Sequence, residues 1–173
     1  ERVKRTVDAA WNVFKGFPPY QSEQVIQAES YGVRIKAKPD IYVLDCNGPA
    51  LHDLKVSDQI GDRAFVRSAR EYRYWLQDAH YCGTVGAALG INPLQIPFRF
   101  WTVESVPPYR VHWREYDELS RQKAHDEWRL ILESYAEALE SDIWESARSN
   151  TITVRDWELR HSDTEEVVWT EAA

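Results

Sequence analysis

Three charged side chains stand out by type and spacing. Lys38-Pro39-Asp40 is followed, after twelve residues, by Asp53-Leu54-Lys55. In a strand, alternate residues project to one face, so Asp53 and Lys55 stand side by side while Leu54 points the other way. The intervening Asn47-Gly48 is a strong hairpin signal. Such a hairpin would bring Asp40, at the start of its first strand, close to Asp53. Two neighbouring carboxylates suit a hard divalent cation such as Mg²⁺, which takes oxygen ligands and keeps several waters. Lys55 would then orient or activate a water, or stabilise charge developing on a phosphate. The same residues also read as a charged surface hairpin. Leu51, Leu54 and Val56 flank them and point to an internal strand, where charges need partners or a metal.

Glu29 is a further candidate ligand, on a strand before Tyr31-Gly32, if that strand pairs beside Asp40; it also reads as a solvated strand carboxylate. Glu23 is a weaker substitute. Arg34, Lys36 and Lys38 alternate and so share a strand face. Arg63, Arg67, Arg70 and Arg73 follow helical spacing. A basic stripe beside an acidic metal site is what a phosphodiester substrate requires; the alternative is a solvated helix face. Within Tyr72-Arg73-Tyr74-Trp75-Leu76-Gln77-Asp78-Ala79-His80-Tyr81, Gln77 and Tyr81 lie four apart. An amide and a phenol so placed can fix a water, a side chain or a phosphate; Tyr74, Trp75 and Tyr81 also read as core aromatics, and Trp75 is read as core.

Other chemistries lack their residues. The five His form no HExxH or paired zinc spacing, and there is no GxSxG, Walker A loop or GxGxxG. Cys46 and Cys82 lie outside any CxxC and lack an evident catalytic partner, so buried thiols are expected. Nothing in them indicates an oxidising compartment. No apolar run approaches the ~20 residues of a membrane helix, and no signal-peptide pattern opens the chain. A cytoplasmic protein without a membrane partner is expected.

The elements that must position these residues read as follows. The 173 residues, 43% hydrophobic and 28% charged, suit one globular domain. Val3, Val7, Ala10, Trp11 and Phe14 predict a helix over 1–15, ended by Gly16, Pro18 and Pro19. Residues 24–57 predict strands, with a turn at Tyr31-Gly32 and a hairpin at Asn47-Gly48. Residues 62–90 predict helix, broken around Ser68–Tyr72 and loosened by Gly83, Gly86 and Gly90. Strands over 96–103 and 109–113 flank Pro107-Pro108. A long helix over 116–141 carries Leu119, Trp128, Ile131, Leu132, Tyr135 and Leu139 on its apolar side. The fold class is α/β (α+β), a mixed sheet flanked by helices. Residues 1–144 are expected to form the domain, with 145–173 an acidic extension of it.

The net charge of −7 counts mildly against a nucleic-acid partner. Residues 141–173, however, hold eight acids and three bases, so the other 140 residues amount to only −2. The chain begins at Glu1 and contains no Met, which points to a fragment with something missing upstream.

Pro39-Asp40, Asp53-Leu54-Lys55 and Gln77-x-x-x-Tyr81, in this order, resemble the PD-(D/E)xK nuclease superfamily. The stretch Tyr72-Arg73-Tyr74-x-x-Gln77-Asp78-Ala79-x-Tyr81 is very similar to the helix after the catalytic strand in its RecE-like branch, the exodeoxyribonuclease VIII and phage recombination exonucleases. Phe98 to Val111 resembles that branch's last strand pair, the helix ending at Asp142-Ile143-Trp144 its C-terminal helix, and the segment around Trp157, weakly, its closing segment. The resemblance implies a restriction-endonuclease-like core and Mg²⁺-dependent cleavage of DNA, with Mn²⁺ as a substitute. It makes Asp40 and Asp53 metal ligands, Glu29 the upstream acid, Lys55 the catalytic lysine, and Gln77 and Tyr81 the supporting pair. Arg63, Arg67, Arg70, Arg73, Lys36 and Lys38 become candidates for DNA contact. The activity implied is exonuclease action on linear double-stranded DNA ends in recombination or repair, in a bacterial or phage-infected cell. The alternatives are a structure-specific or restriction-type endonuclease and a decayed DNA-binding module. A homo-oligomeric ring and a single-strand annealing partner are implied by the branch alone. Some members use a His well before the first strand; none precedes His52 here, and the Tyr31-Gly32 turn is shorter than the branch's usual loop.

Overall fold

The computed structural model describes residues 1–144; the expectations for 145–173, including the segment around Trp157, lie outside the described residues. Helix α1 spans Arg2–Phe14, and strand β1 is Tyr20–Ser22. A separate hairpin follows, β2 (Ile26–Ser30) and β3 (Val33–Ala37). Its turn, Tyr31-Gly32, has φ of 52° and 74°, the pair of positive values that a tight two-residue hairpin loop needs.

Strands β4 (Ile41–Asp45) and β5 (Gly48–Ser57) form the second hairpin. Its turn falls on Cys46-Asn47, one residue earlier than Asn47-Gly48, because Asp45 pairs with Gly48. The Asp45 Oδ1 accepts the Asn47 N–H at 2.7 Å, a side-chain turn that fixes this register. A one-residue slip would send Asp53 and Lys55 to the opposite face.

Helices α2 (Asp62–Glu71) and α3 (Tyr74–Leu89) lead to β6 (Phe98–Glu104), β7 (Val111–Arg114) and α4 (Glu118–Ser141). The α2–α3 break comes at Tyr72-Arg73, where Arg73 adopts the left-handed conformation. The glycines do not loosen α3. A Cβ at Gly83 would sit 2.4 Å from the Trp128 ring of α4, so this glycine lets the two helices approach.

The main sheet has the order β1-β4-β5-β6-β7, with β5 and β6 parallel and the other pairs antiparallel. It is the mixed, helix-flanked sheet expected. One face packs Leu51, Phe98 and Phe100 against Phe65 of α2 and Tyr74, Cys82 and Val85 of α3. The other packs Ile41, Val43 and Trp101 against Phe14, Ala10 and Val13 of α1. A third cluster joins Val33 and Ile35 of β3 to Ala79 of α3 and Trp128 and Leu132 of α4.

The two outer helices bury narrower faces than their apolar residues suggest. Val3, Val7 and Trp11 of α1, and Leu119, Ile131, Tyr135 and Leu139 of α4, remain exposed. Of the two thiols, Cys82 is buried and Cys46, in its turn, is exposed. Buried Asp78 of α3 holds Arg121 of α4, which also donates to the carbonyls of Leu94 and Ile96. Residues 1–141 make one compact unit. No helix among the described residues is long and apolar enough to cross a membrane.

Candidate active site

The β4–β5 register, in which Ile41 faces His52, sets Asp40 opposite Asp53. Because β5 lies between β4 and β6, Asp53 is an interior residue with a side chain only 5% exposed. Alternation puts Leu51, Asp53 and Lys55 on the face covered by α3, while Leu54 turns toward α1.

Gln77, in the first turn of α3, completes the cluster. Its amide nitrogen donates to Asp53 Oδ1, and its Oε1 accepts from Lys55 Nζ at 3.0 Å. Lys55 Nζ also lies 2.6 Å from Asp53 Oδ2 and 4.6 Å from the centre of the Tyr74 ring. Tyr74 in turn stacks on Phe100 at 5.3 Å. The ammonium is thus held from three sides. Asp40 Oδ2 accepts the Leu54 N–H at 2.6 Å.

Burial dominates the acidities. It pushes the Asp53 carboxyl up, against the pull of Lys55, and nearby Asp40 adds to the rise. It pushes Asp40 up too, against the Leu54 N–H. The Tyr81 phenol is raised by burial, opposed by the Gln77 amide, and raised further by the charges of Asp53 and Asp40.

Asp53 Oδ2 is buried and makes no hydrogen bond of proper geometry; its only compensation is the Lys55 charge. A buried carboxylate oxygen left in that state fits a divalent cation, and both carboxylates are hard oxygen donors. Asp40 and Asp53 would hold the ion. Among the described residues no three His, Cys, Asp or Glu side chains gather into a cage.

The structure brings together Asp40, Asp53, Lys55 and Gln77, with Tyr81 one turn along α3. It does not bring Glu29. The β2–β3 hairpin pairs only with itself, and β4 takes β1 as its neighbour. Glu29 faces Arg34 across the hairpin and lines an open groove with Gln27 and Lys36. The acid beside Asp40 is Glu23, whose backbone N–H donates to the Asp40 carbonyl at 3.2 Å and whose carboxylate acts on that of Asp40. Glu23 also pairs with Lys38, so Lys38 is tied down rather than presented to solvent alone. Lys36 is exposed, and its carbonyl meets His80 Nε2 at 2.9 Å.

Arg63, Arg67 and Arg70 lie exposed along α2. Arg73 is exposed as well but pairs with Glu127 of α4, which also accepts the Trp75 indole N–H at 2.9 Å. Trp75 is half-buried against the third cluster, as its core reading expected. Sequence reasoning missed Tyr74 as the platform under Lys55; its place three residues before Gln77 on one helix was the available signal.

The fold that carries this arrangement, two carboxylates brought together by a hairpin and a lysine two residues after the second, has known relatives. A family model, the PDDEXK-like domain of unknown function (DUF3799), matches residues 6–152. The chain belongs to that family. No curated protein sequence matches it. Among solved structures, a "Putative exonuclease" from Eubacterium rectale has the same fold, with a TM-score of 0.63 at 18% identity. The alignment covers 98% of this chain and 62% of that one, so the chain spans less than two thirds of its structural neighbour. The likeness to that structure is one of fold; PD-(D/E)xK nucleases, the class after which the family is described, generally use divalent metal ions.

Proposed function

We propose that the protein is a Mg²⁺-dependent deoxyribonuclease, an exonuclease acting on linear double-stranded DNA in recombination or repair, with Mn²⁺ as an alternative ion. The convergence of Asp40, Asp53 and Lys55 on one sheet face, joined by Gln77, carries this reading. The exonuclease rather than endonuclease form rests on the RecE-like sequence pattern around Gln77, together with the description of the structural neighbour.

Lys55 orients the attacking water and offsets negative charge gathering at the scissile phosphate. Gln77 holds the Lys55 ammonium and the Asp53 carboxylate by one hydrogen bond each, and the Tyr74 ring keeps the ammonium from swinging away. The bound ion would polarise the phosphoryl oxygen and stabilise the departing 3′ oxygen. Arg63, Arg67 and Arg70 contact the phosphate backbone, so affinity falls as salt rises. The direct test incubates linear and closed circular duplex DNA with the protein and Mg²⁺. Loss of the linear form alone supports the exonuclease; nicking of circles selects an endonuclease; no cleavage of either, with no cation binding, selects a decayed binding module.

A further inference from the structure

Tyr72 closes helix α2 and is 64% exposed. Its ring stacks on that of Tyr74, with centres 6.1 Å apart and planes inclined by 19°. Tyr74 stacks in turn on Phe100, at 5.3 Å and 18°. Three nearly parallel rings thus form a column that rises from the buried sheet to solvent. Lys55 Nζ lies 4.6 Å from the centre of the middle ring. The column therefore stands on the sheet face that carries Asp53 and Lys55, and its outermost ring is exposed.

A regular helix would not build this column. Residues two apart do not face each other on a helix, so Tyr72 and Tyr74 could not stack within one. Arg73 between them takes the left-handed conformation, with φ 52° and ψ 50°, which is uncommon for a residue other than glycine. Glu127 secures the break by accepting from both the Arg73 guanidinium and the Trp75 indole.

The charge beside the exposed ring is positive. Residues 62–73 hold four Arg against Asp62 and Glu71. Asp62 is taken up by Arg114 and Arg73 by Glu127, which leaves Arg63, Arg67 and Arg70 against Glu71. Cations along α2 suit phosphates, and the ring at its end suits a flat, uncharged, aromatic group that lengthens the stack. A nucleotide at the end of a strand carries both, and any base can stack on an aromatic ring whatever its sequence.

We infer that Tyr72 is a stacking platform for the terminal nucleobase of the DNA strand whose phosphate reaches Lys55. This rests on the deoxyribonuclease reading above and adds a substrate preference to it: an end whose last base is unpaired. The occupant is nucleic acid because the column joins the exposed ring to the site lysine and the α2 arginines border it.

The test compares two duplexes with a one-nucleotide overhang, one carrying a base at the overhanging position and the other an abasic nucleotide. Binding is measured with Mg²⁺ in a Lys55→Ala background, for overhangs on either strand. The base is expected to tighten binding about 10-fold at one of the two overhang polarities. Tyr72→Ala should bind both duplexes equally, at the abasic level, whereas Tyr72→Phe should keep most of the preference. Tyr72→Leu, which still covers Tyr74 but offers no aromatic face, should lose it as Tyr72→Ala does. Equal binding of the two duplexes by the Tyr72 protein would overturn the inference. So would a preference that survives in Tyr72→Ala and Tyr72→Leu. Cleavage of linear duplex by the unmodified protein is followed separately. Its absence would sink the nuclease reading, whereas cleavage without any base preference would sink only the stacking platform.

Discussion

Lys55 Nζ lies 2.6 Å from Asp53 Oδ2, the carboxylate oxygen that is buried and accepts no well-formed hydrogen bond. The pair is adjacent in sequence terms, two residues apart on one strand face, yet Gln77 from α3 is what fixes its geometry. Replacing Gln77 therefore should disturb chemistry more than binding. Gln77→Ala is expected to lower kcat by roughly 10- to 100-fold, in the range typical of residues that orient site ligands, with little change in KM. Steady-state kinetics on linear duplex DNA checks this, and Gln77→Glu should not rescue it, because the amide N–H toward Asp53 is lost.

Asp53 carries a cost in the metal-free protein. Its folded-state pKa is raised by burial, so the folded protein holds the proton more tightly than the unfolded chain. Stability from this group rises as pH falls through its folded pKa and is lower above it. At neutral pH without metal, Asp53→Asn should match or exceed the parent in thermal midpoint while abolishing cleavage. Added Mg²⁺ at 100 times its Kd should stabilise the parent by roughly 2.7 kcal/mol and leave the variant unchanged. A variant that is stabilised equally by Mg²⁺ would show that the ion binds elsewhere.

The Asp78–Arg121 pair ties α3 to α4 with side chains 3% and 13% exposed. Removing one partner leaves the other charge buried, at a cost of about 3–5 kcal/mol. Asp78→Ala should lower the urea midpoint accordingly. Since Asp78 also lies one residue after Gln77, the loss of stability should carry some activity with it, recovered by the more conservative Asp78→Glu only if the longer side chain still reaches Arg121.

Glu104 at the end of β6 is bound by the Arg110 guanidinium at 2.8 Å. That contact, first through its hydrogen bond, holds the Glu104 carboxyl at about 2 rather than its ordinary 4.5. A depressed carboxylate pKa gives stability that is present in full above the unfolded value and is lost as pH falls through the folded one. The stability advantage of the parent over Glu104→Gln should hold above about pH 4.5 and shrink toward pH 2. Chemical denaturation at a series of acidic pH values reads this directly; a gap independent of pH would contradict it.

Much of the site was legible because it is local. Asp40 and Asp53 sit on neighbouring strands of one hairpin, so twelve intervening residues and a turn signal sufficed to place them together. Gln77 was legible from its helix spacing. Glu23 was harder, because β1 is three residues long, follows two prolines and has no periodicity of its own. Glu29 was misplaced because β2 and β3 pack on α3 instead of joining the main sheet, a tertiary choice that alternation alone does not encode. The same holds for α1. Its apolar residues cover a wider arc than the sheet can take, and nothing local says that Thr6 goes in while Trp11 stays out. Arg73 was read as one of four equivalent cations, but a left-handed backbone at the α2–α3 break turns it toward Glu127.

The central claim is that the Asp40–Asp53–Lys55 cluster cleaves DNA. It is tested most directly by timing the degradation of linear double-stranded DNA by the parent and by Lys55→Ala, each with Mg²⁺ and with chelator. The parent should degrade the DNA only with Mg²⁺, and Lys55→Ala should be slower by about 10²- to 10⁴-fold, the range for loss of a group that positions or accepts a proton. Degradation by Lys55→Ala at the parent's rate, or by the parent in chelator, would contradict it.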